Sequence, residues 1–70
     1  MAKRTSGMVR WFDGSKGFGY IDAEGGEDVF VHTAAISGQD APLLMEGDQV
    51  VFFLEHTVRG PQASDVTRLN

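Results

Sequence analysis

The chain has 70 residues, and its six basic and ten acidic side chains give a net charge of −4. This length suits one domain, residues 1–70, and excludes a large core, so we expect marginal stability. The sequence contains no cysteine, which excludes disulfides and thiolate metal sites and is typical of a reducing cytoplasm. Its longest apolar run, residues 50–54, is too short to cross a membrane. We expect a small, soluble, cytoplasmic protein that needs no cofactor.

The amino-terminal part is predicted to be a loose segment, residues 1–6, followed by a strand from Gly7 to Asp13. Val9 is expected to face the core. Strict alternation places Trp11 on the face of Val9 and Phe12 on the other, whereas a bulge would reverse the two. The pattern alone leaves the orientation of Trp11 open.

Two strongly alternating stretches follow, at residues 17–23 and 28–32, joined by a turn at residues 24–26. Successive side chains of a strand point to opposite faces, so the aliphatic residues are predicted to face the core and the aromatic ones outward. Gly17 and Gly19 are expected to leave room for a ligand to approach. The predicted outward residues are Phe18, Tyr20, Phe30 and His32.

The second half of the chain is predicted to hold one helical turn and two strands. The turn covers residues 33–36, a loop covers 37–42, and strands cover 49–56 and 62–69. Phe53 is expected to face outward. It either covers a small apolar cluster with Val51, which we favour, or marks a protein contact. The predicted inward residues are Ile36, Leu44, Val50, Phe52 and Leu54.

Five short strands with regular turns and no long helix predict an all-β fold, a five-stranded antiparallel barrel of the oligonucleotide-binding (OB) type. Closure of the barrel would also remove exposed strand edges.

Rings on the outer face of a rigid sheet are typical of proteins that stack unpaired bases. Two alternatives remain: the rings fill a core of their own, or they dock a protein partner. The acidic total argues against duplex binding, which depends on phosphate neutralisation. However, four of the six basic residues lie within the first 16 positions.

Three segments are similar to the bacterial cold-shock proteins: Gly7-Met8-Val9-Arg10-Trp11-Phe12, Lys16-Gly17-Phe18-Gly19-Tyr20-Ile21 and Asp28-Val29-Phe30-Val31-His32. The segments Glu46-Gly47, Arg59-Gly60-Pro61-Gln62-Ala63 and Asp65-Val66-Thr67 fit the same pattern. The resemblance covers about residues 5–69 and consists of several motifs in the same order.

The resemblance implies an OB barrel that binds single-stranded RNA and DNA, often rich in pyrimidines, and acts as an RNA chaperone or regulator. We expect the protein to be a monomer. By position, the resemblance implies that Trp11 points outward and that bases stack on Trp11, Phe18, Tyr20, Phe30 and His32. It places Phe12 at the border of this binding face. It implies phosphate contacts for Arg10, Lys16 and Arg59, and hydrogen bonds to base edges for Asp28 and Gln62.

The chain departs from the family at two positions where an aromatic residue is common. Thr33 follows His32, and Ala41-Pro42 occupies the middle loop. We expect each change to remove part of a stacking subsite.

Other classes of function find little support in the sequence. His32 and His56 are far apart and accompany no nucleophile, so no catalytic residue is predicted. No ligand spacing for a metal is present. The segment from Lys16 also resembles the ribonucleoprotein motif of RNA-recognition domains, but that fold needs two long helices.

Overall fold

The computed structural model describes residues 4–36 and 44–69 and places five strands and one short 3₁₀ turn in them. The loop predicted over residues 37–42 lies outside the described residues. None of the described residues forms a helix long and apolar enough to cross a membrane. The strands are β1 (Arg4–Asp13), β2 (Phe18–Ala23), β3 (Asp28–His32), β4 (Gln49–Thr57) and β5 (Gly60–Arg68), and the turn is Thr33–Ala35.

The five strands form a closed barrel in the order β1-β2-β3-β5-β4, which confirms the predicted architecture. Four ladders are antiparallel, but β3 and β5 pair in parallel, with Phe30 opposite Gln62. The barrel is thus antiparallel as predicted except at the β3–β5 pair. In a closed ring with an odd number of strands, alternating directions cannot be maintained all the way round, so at least one pair must be parallel.

β1 is longer than predicted, and its extra residues close the barrel. Residues 4–6, which we expected to be loose, belong to β1 and pair with residues 51–53 of β4. Residues 7–13 of β1 pair with β2, and Gly7 and Met8 pair with both neighbouring strands. β1 therefore pairs with both β2 and β4. The polar composition of residues 4–6 did not reveal their pairing with β4.

The core lies inside the barrel and consists of aliphatic side chains from every strand together with Phe52. The predicted inward positions are confirmed, although Leu54 is only partly buried and packs against the core from its edge. No polar or charged residue of the described segments is buried. The core residues are Val9, Ile21, Ala23, Val29, Val31, Ile36, Leu44, Val50, Phe52, Ala63 and Val66.

Phe53 lies on the outside of the barrel, half-buried, as its strand position predicts. The guanidinium carbon of Arg4 lies 5.5 Å from the centre of its ring, close enough for a cation–π contact. Arg4 and Phe53 are also cross-strand neighbours in the β1–β4 ladder. The ring of Phe53 is therefore covered by the amino-terminal end of β1.

Candidate nucleic-acid interface

A bulge in β1 decides the orientation of Trp11. Val9 pairs with Ile21 and Trp11 pairs with Tyr20, so β1 has one extra residue, Arg10, between two consecutive pairs. An extra residue reverses the alternation beyond it. Val9 is therefore buried while Trp11 lies outside, with 39% of its surface exposed.

Four aromatic side chains from three strands contact one another on the outside of the barrel. The ring of Trp11 lies 5.5 Å from that of Phe18 and 5.7 Å from that of Tyr20. The ring of Phe30 lies 5.8 Å from Phe18 and 5.7 Å from Tyr20. We call this set of four residues the aromatic platform. The separations are those of favourable ring pairs, so the rings support one another's positions.

The strands beneath the platform are anchored in the core. Ile21, Val29 and Val31 alternate with the platform residues and have no exposed surface. None of the four rings is itself fully buried, and none belongs to the core cluster. The prediction that the rings face outward is confirmed for these residues. The alternative, in which the rings form a second core, is wrong because none of them is fully buried.

Gly19 serves the packing of two strands rather than the approach of a ligand. A Cβ atom at this position would lie 2.3 Å from the carbonyl oxygen of Trp11 and 2.7 Å from the Cα of Phe12. Both atoms belong to the backbone of β1, which therefore passes over Gly19 at close range. The expected role of this glycine is corrected accordingly. Gly17 has a φ of 82° and closes the preceding turn.

Gly19→Ala is expected to lower the free energy of unfolding by about 1–3 kcal/mol, because a methyl group forces β1 away from β2. Since the displaced segment carries Trp11, the variant should also bind nucleic acid more weakly. Chemical denaturation and an oligonucleotide titration measure the two effects. Gly25→Ala is the control, because its position is open and its cost should come from its positive φ alone. Equal stability of Gly19→Ala and the parent would contradict the close approach.

Phe12 lies on the opposite face of β1 from Trp11. Its side chain is partly buried and packs against the core, because the bulge that turns Trp11 outward turns Phe12 inward. We predicted Phe12 at the border of the binding face. The structure shows its packing against the core, and its place at the border of the binding face stays a prediction.

Lys16 lies in the turn between β1 and β2, which the carboxylate of Asp13 organises. Oδ1 of Asp13 accepts hydrogen bonds from the hydroxyl of Ser15 at 2.7 Å and from the backbone N–H groups of Ser15 and Lys16 at 3.0 and 3.1 Å. The Ser15 hydroxyl, followed by the Lys16 N–H, lowers the pKa of Asp13 below its ordinary value of 3.8. The turn thereby places Lys16, exposed, two residues before β2.

This pKa gives a testable pH dependence. Because the folded turn favours the ionised carboxylate, the stabilisation is present above pH 3.8 and is lost as the pH falls through the lower pKa of the folded state. Asp13→Asn should therefore be less stable than the parent at neutral pH, with a difference that shrinks on acidification. Thermal unfolding of both proteins across this range is the measurement. A difference that stays constant down to strongly acidic pH would show that the charge of Asp13 is not involved.

A depression of about 500 Å³ adjoins the platform on the side of β3 and β5. The parallel register places Gln62 opposite Phe30, and the turn before β5 brings Arg59 to the same edge. Asp28 and His32 line it as well. Residues to which the resemblance assigned nucleic-acid contacts therefore lie beside the platform, and the contacts themselves stay a prediction. The lining residues are Tyr20, Asp28, Phe30, His32, Thr57, Arg59, Gly60, Pro61 and Gln62.

Thr57, Gly60 and Pro61 line this depression but were not predicted to belong to the site. The hydroxyl of Thr57 donates to the carbonyl of Gly60 at 2.9 Å and accepts from the N–H of Arg59 at 3.1 Å. Thr57 thus shapes the turn that carries Arg59. A Thr-x-x-Gly turn is recognisable in sequence, but its place beside β3 depends on closure of the barrel.

His32 is oriented by the 3₁₀ turn that follows it. Its Nδ1 accepts a hydrogen bond from the N–H of Ala34 at 3.0 Å, so the proton of the neutral ring is on Nε2. His32 also faces Phe18 across the β2–β3 ladder. Thr33, where the family often has a ring, is half-buried, and its hydroxyl lies next to Gly17.

The cations of the site differ in their surroundings. Nε of Arg10 lies 3.2 Å from Oδ1 of Asp28, and both side chains are about half exposed. Within the described residues, Lys16 and Arg59 take part in no ion pair. No group of three potential metal ligands was found in that part of the chain.

A closed five-stranded barrel with clustered rings on its outer face has the architecture of the OB fold, which many nucleic-acid-binding proteins share. The family model of the 'Cold-shock' DNA-binding domain matches residues 5–69, and the chain belongs to this family.

Curated cold-shock proteins align with this chain over nearly its whole length. The chain is 54% identical over 63 residues to the cold shock-like protein CspD of Bacillus cereus, covering 90% of this chain and 96% of that protein. It is 47% identical over 70 residues to the cold shock-like protein CspB of Yersinia pestis, covering 99% and 100%.

Among solved structures, Drosophila Unr CSD456 superimposes with a TM-score of 0.77 at 20% sequence identity. The match covers 97% of this chain and 27% of that one. At this identity the likeness concerns the fold alone, and it supports the OB barrel.

Proposed function

We propose that this protein binds single-stranded RNA and DNA by stacking successive bases on the aromatic platform. The observation that carries the proposal is the platform itself: four rings in mutual contact, partly exposed, above strands whose alternate residues are completely buried. Bases of any sequence have a flat π-face, and each base stacked on an aromatic side chain is worth about 1–3 kcal/mol.

The distribution of charge favours single strands over duplex. Arg10, Lys16 and Arg59 are the basic residues at or near the platform, whereas the chain as a whole carries a net charge of −4. Three cations supply only a modest electrostatic attraction. Stacking must therefore provide most of the affinity, and the bases of a duplex are not free to stack on protein rings.

The finer assignments rest on family membership. A preference for pyrimidine-rich strands, action as an RNA chaperone that keeps transcripts unstructured or as a regulator, and work as a monomer in the cytoplasm are all part of the proposal. Sequence-tolerant stacking suits a chaperone, because such a protein must bind many transcripts and hold none too tightly.

A titration of fluorescently labelled hexamers of thymidine, cytidine and adenosine, together with a duplex, tests this proposal. We expect the pyrimidine hexamers to bind best and the duplex far more weakly. With about three phosphate contacts and a contribution of about 0.7 each, the log–log salt slope should be near −2. A slope steeper than roughly −4, or equal binding of duplex, would show that charge rather than stacking dominates.

A further inference from the structure

Arg10 and Asp28 form an ion pair at the margin of the proposed binding face. Arg10 is the bulge residue of β1, and Asp28 is the first residue of β3, so the pair reaches over β2. Their closest atoms, Nε and Oδ1, lie 3.2 Å apart. Asp28 also lines the depression beside the platform.

This pairing conflicts with the roles that the two residues take in the proposed function, on which the present inference rests. A bound strand needs the guanidinium of Arg10 for a phosphate and the acceptor of Asp28 for a base edge. While the two side chains bind each other, neither is fully available. We propose that the Arg10–Asp28 ion pair is a latch, which opens when a strand binds and which lowers the affinity of the protein.

The exposure of the pair makes the exchange feasible. Each side chain has 55% of its surface exposed, and exposed ion pairs are weak because water and salt screen them. The latch should therefore lower affinity only a few-fold. Among the described residues, Lys16 and Arg59 form no ion pair of this kind, although Lys16 lies near enough to the carboxylate of Asp13 to help lower the pKa of Asp13. Of the three cations, Arg10 is therefore the one whose guanidinium is in direct contact with a carboxylate.

Asp28→Asn tests the latch, because asparagine keeps the shape and a carbonyl acceptor for a base edge but removes the charge. We expect hexathymidine to bind about 2–5-fold more tightly to this variant. The log–log salt slope should steepen by up to about 0.7. In the variant Arg10 has no carboxylate partner before binding, so its contact with a phosphate releases a salt ion rather than replacing Asp28.

The chain offers a matched control. Asp22 lies directly opposite Asp28 in the β2–β3 ladder, is exposed, and forms no ion pair with Arg10. Asp22→Asn changes the net charge equally and at nearly the same place. An equal gain in affinity for both variants would mean that Asp28 acts only through its negative charge and not through its contact with Arg10, and it would overturn the latch.

Arg10→Gln completes a double-mutant cycle. In that background Asp28→Asn should give no gain, because there is no guanidinium to release. A gain of the same size with and without Arg10, or weaker binding of Asp28→Asn, would overturn the proposal. Circular dichroism of each variant establishes that it is folded.

The cycle also separates the latch from the proposed function. If the parent protein fails to bind any single strand, the proposed function and the latch fail together. If the parent binds and loses affinity in Phe18→Ala but the cycle shows no coupling, then only the latch is wrong.

Discussion

Phe18→Ala and Phe30→Ala are each expected to weaken binding of hexathymidine by about 1–3 kcal/mol, because each removes one stacking surface. The two rings lie 5.8 Å apart and nearly parallel, with 26° between their planes. Loss of either also removes support from the neighbouring rings, so the double variant should lose less than the sum of the two. Titrations at a single salt concentration measure the effect.

Phe53→Ala is the matched control for these two variants. It is the same substitution on the same barrel, but Phe53 lies on β4, does not belong to the platform, and contacts the guanidinium of Arg4. Its affinity for the hexamer should equal that of the parent. If Phe53→Ala lost as much affinity as Phe18→Ala, the binding face would not be confined to the platform.

Phe52→Ala should have the largest effect on folding, a loss of about 3–5 kcal/mol in the free energy of unfolding. Phe52 is the largest of the completely buried side chains, and truncation leaves a cavity in the barrel that the surrounding strands cannot close. A chain of 70 residues has roughly 4–10 kcal/mol in total, so this variant should be close to unfolded.

Denaturant titration of the parent, Phe52→Ala and Phe53→Ala measures this difference between adjacent residues. Phe53→Ala is expected to cost much less, because its ring is half-buried on the outer surface. Comparable losses for the two would contradict the assignment of inner and outer faces on β4.

The outward placement of Phe18, Tyr20 and Phe30 could be predicted from the sequence because regular alternation determines the face of each residue in an unbroken strand. Trp11 could not be placed in this way. Its orientation depends on the bulge at Arg10, and an extra residue in one strand is visible only against the register of its partner.

The edge of the site was less predictable for a topological reason. Thr57 and Pro61 line the depression beside Phe30 only because closure brings β5 alongside β3 in parallel. The ion pair between Arg10 and Asp28 likewise joins residues that no local pattern connects. Only the family resemblance assigned Gln62 and Arg59 to the site. The residue pattern placed Gln62 at the start of the last predicted strand and left Arg59 between the two predicted strands.

The fluorescence of Trp11 tests the central claim most directly. The chain contains one tryptophan, and its ring contacts Phe18 and Tyr20 on the platform, so its emission reports on this face alone. Addition of hexathymidine should quench the emission saturably, with a midpoint that matches the binding curve of the labelled hexamer. Binding of the hexamer without any change in the emission of Trp11 would show that bases do not stack on the platform, and it would contradict this account.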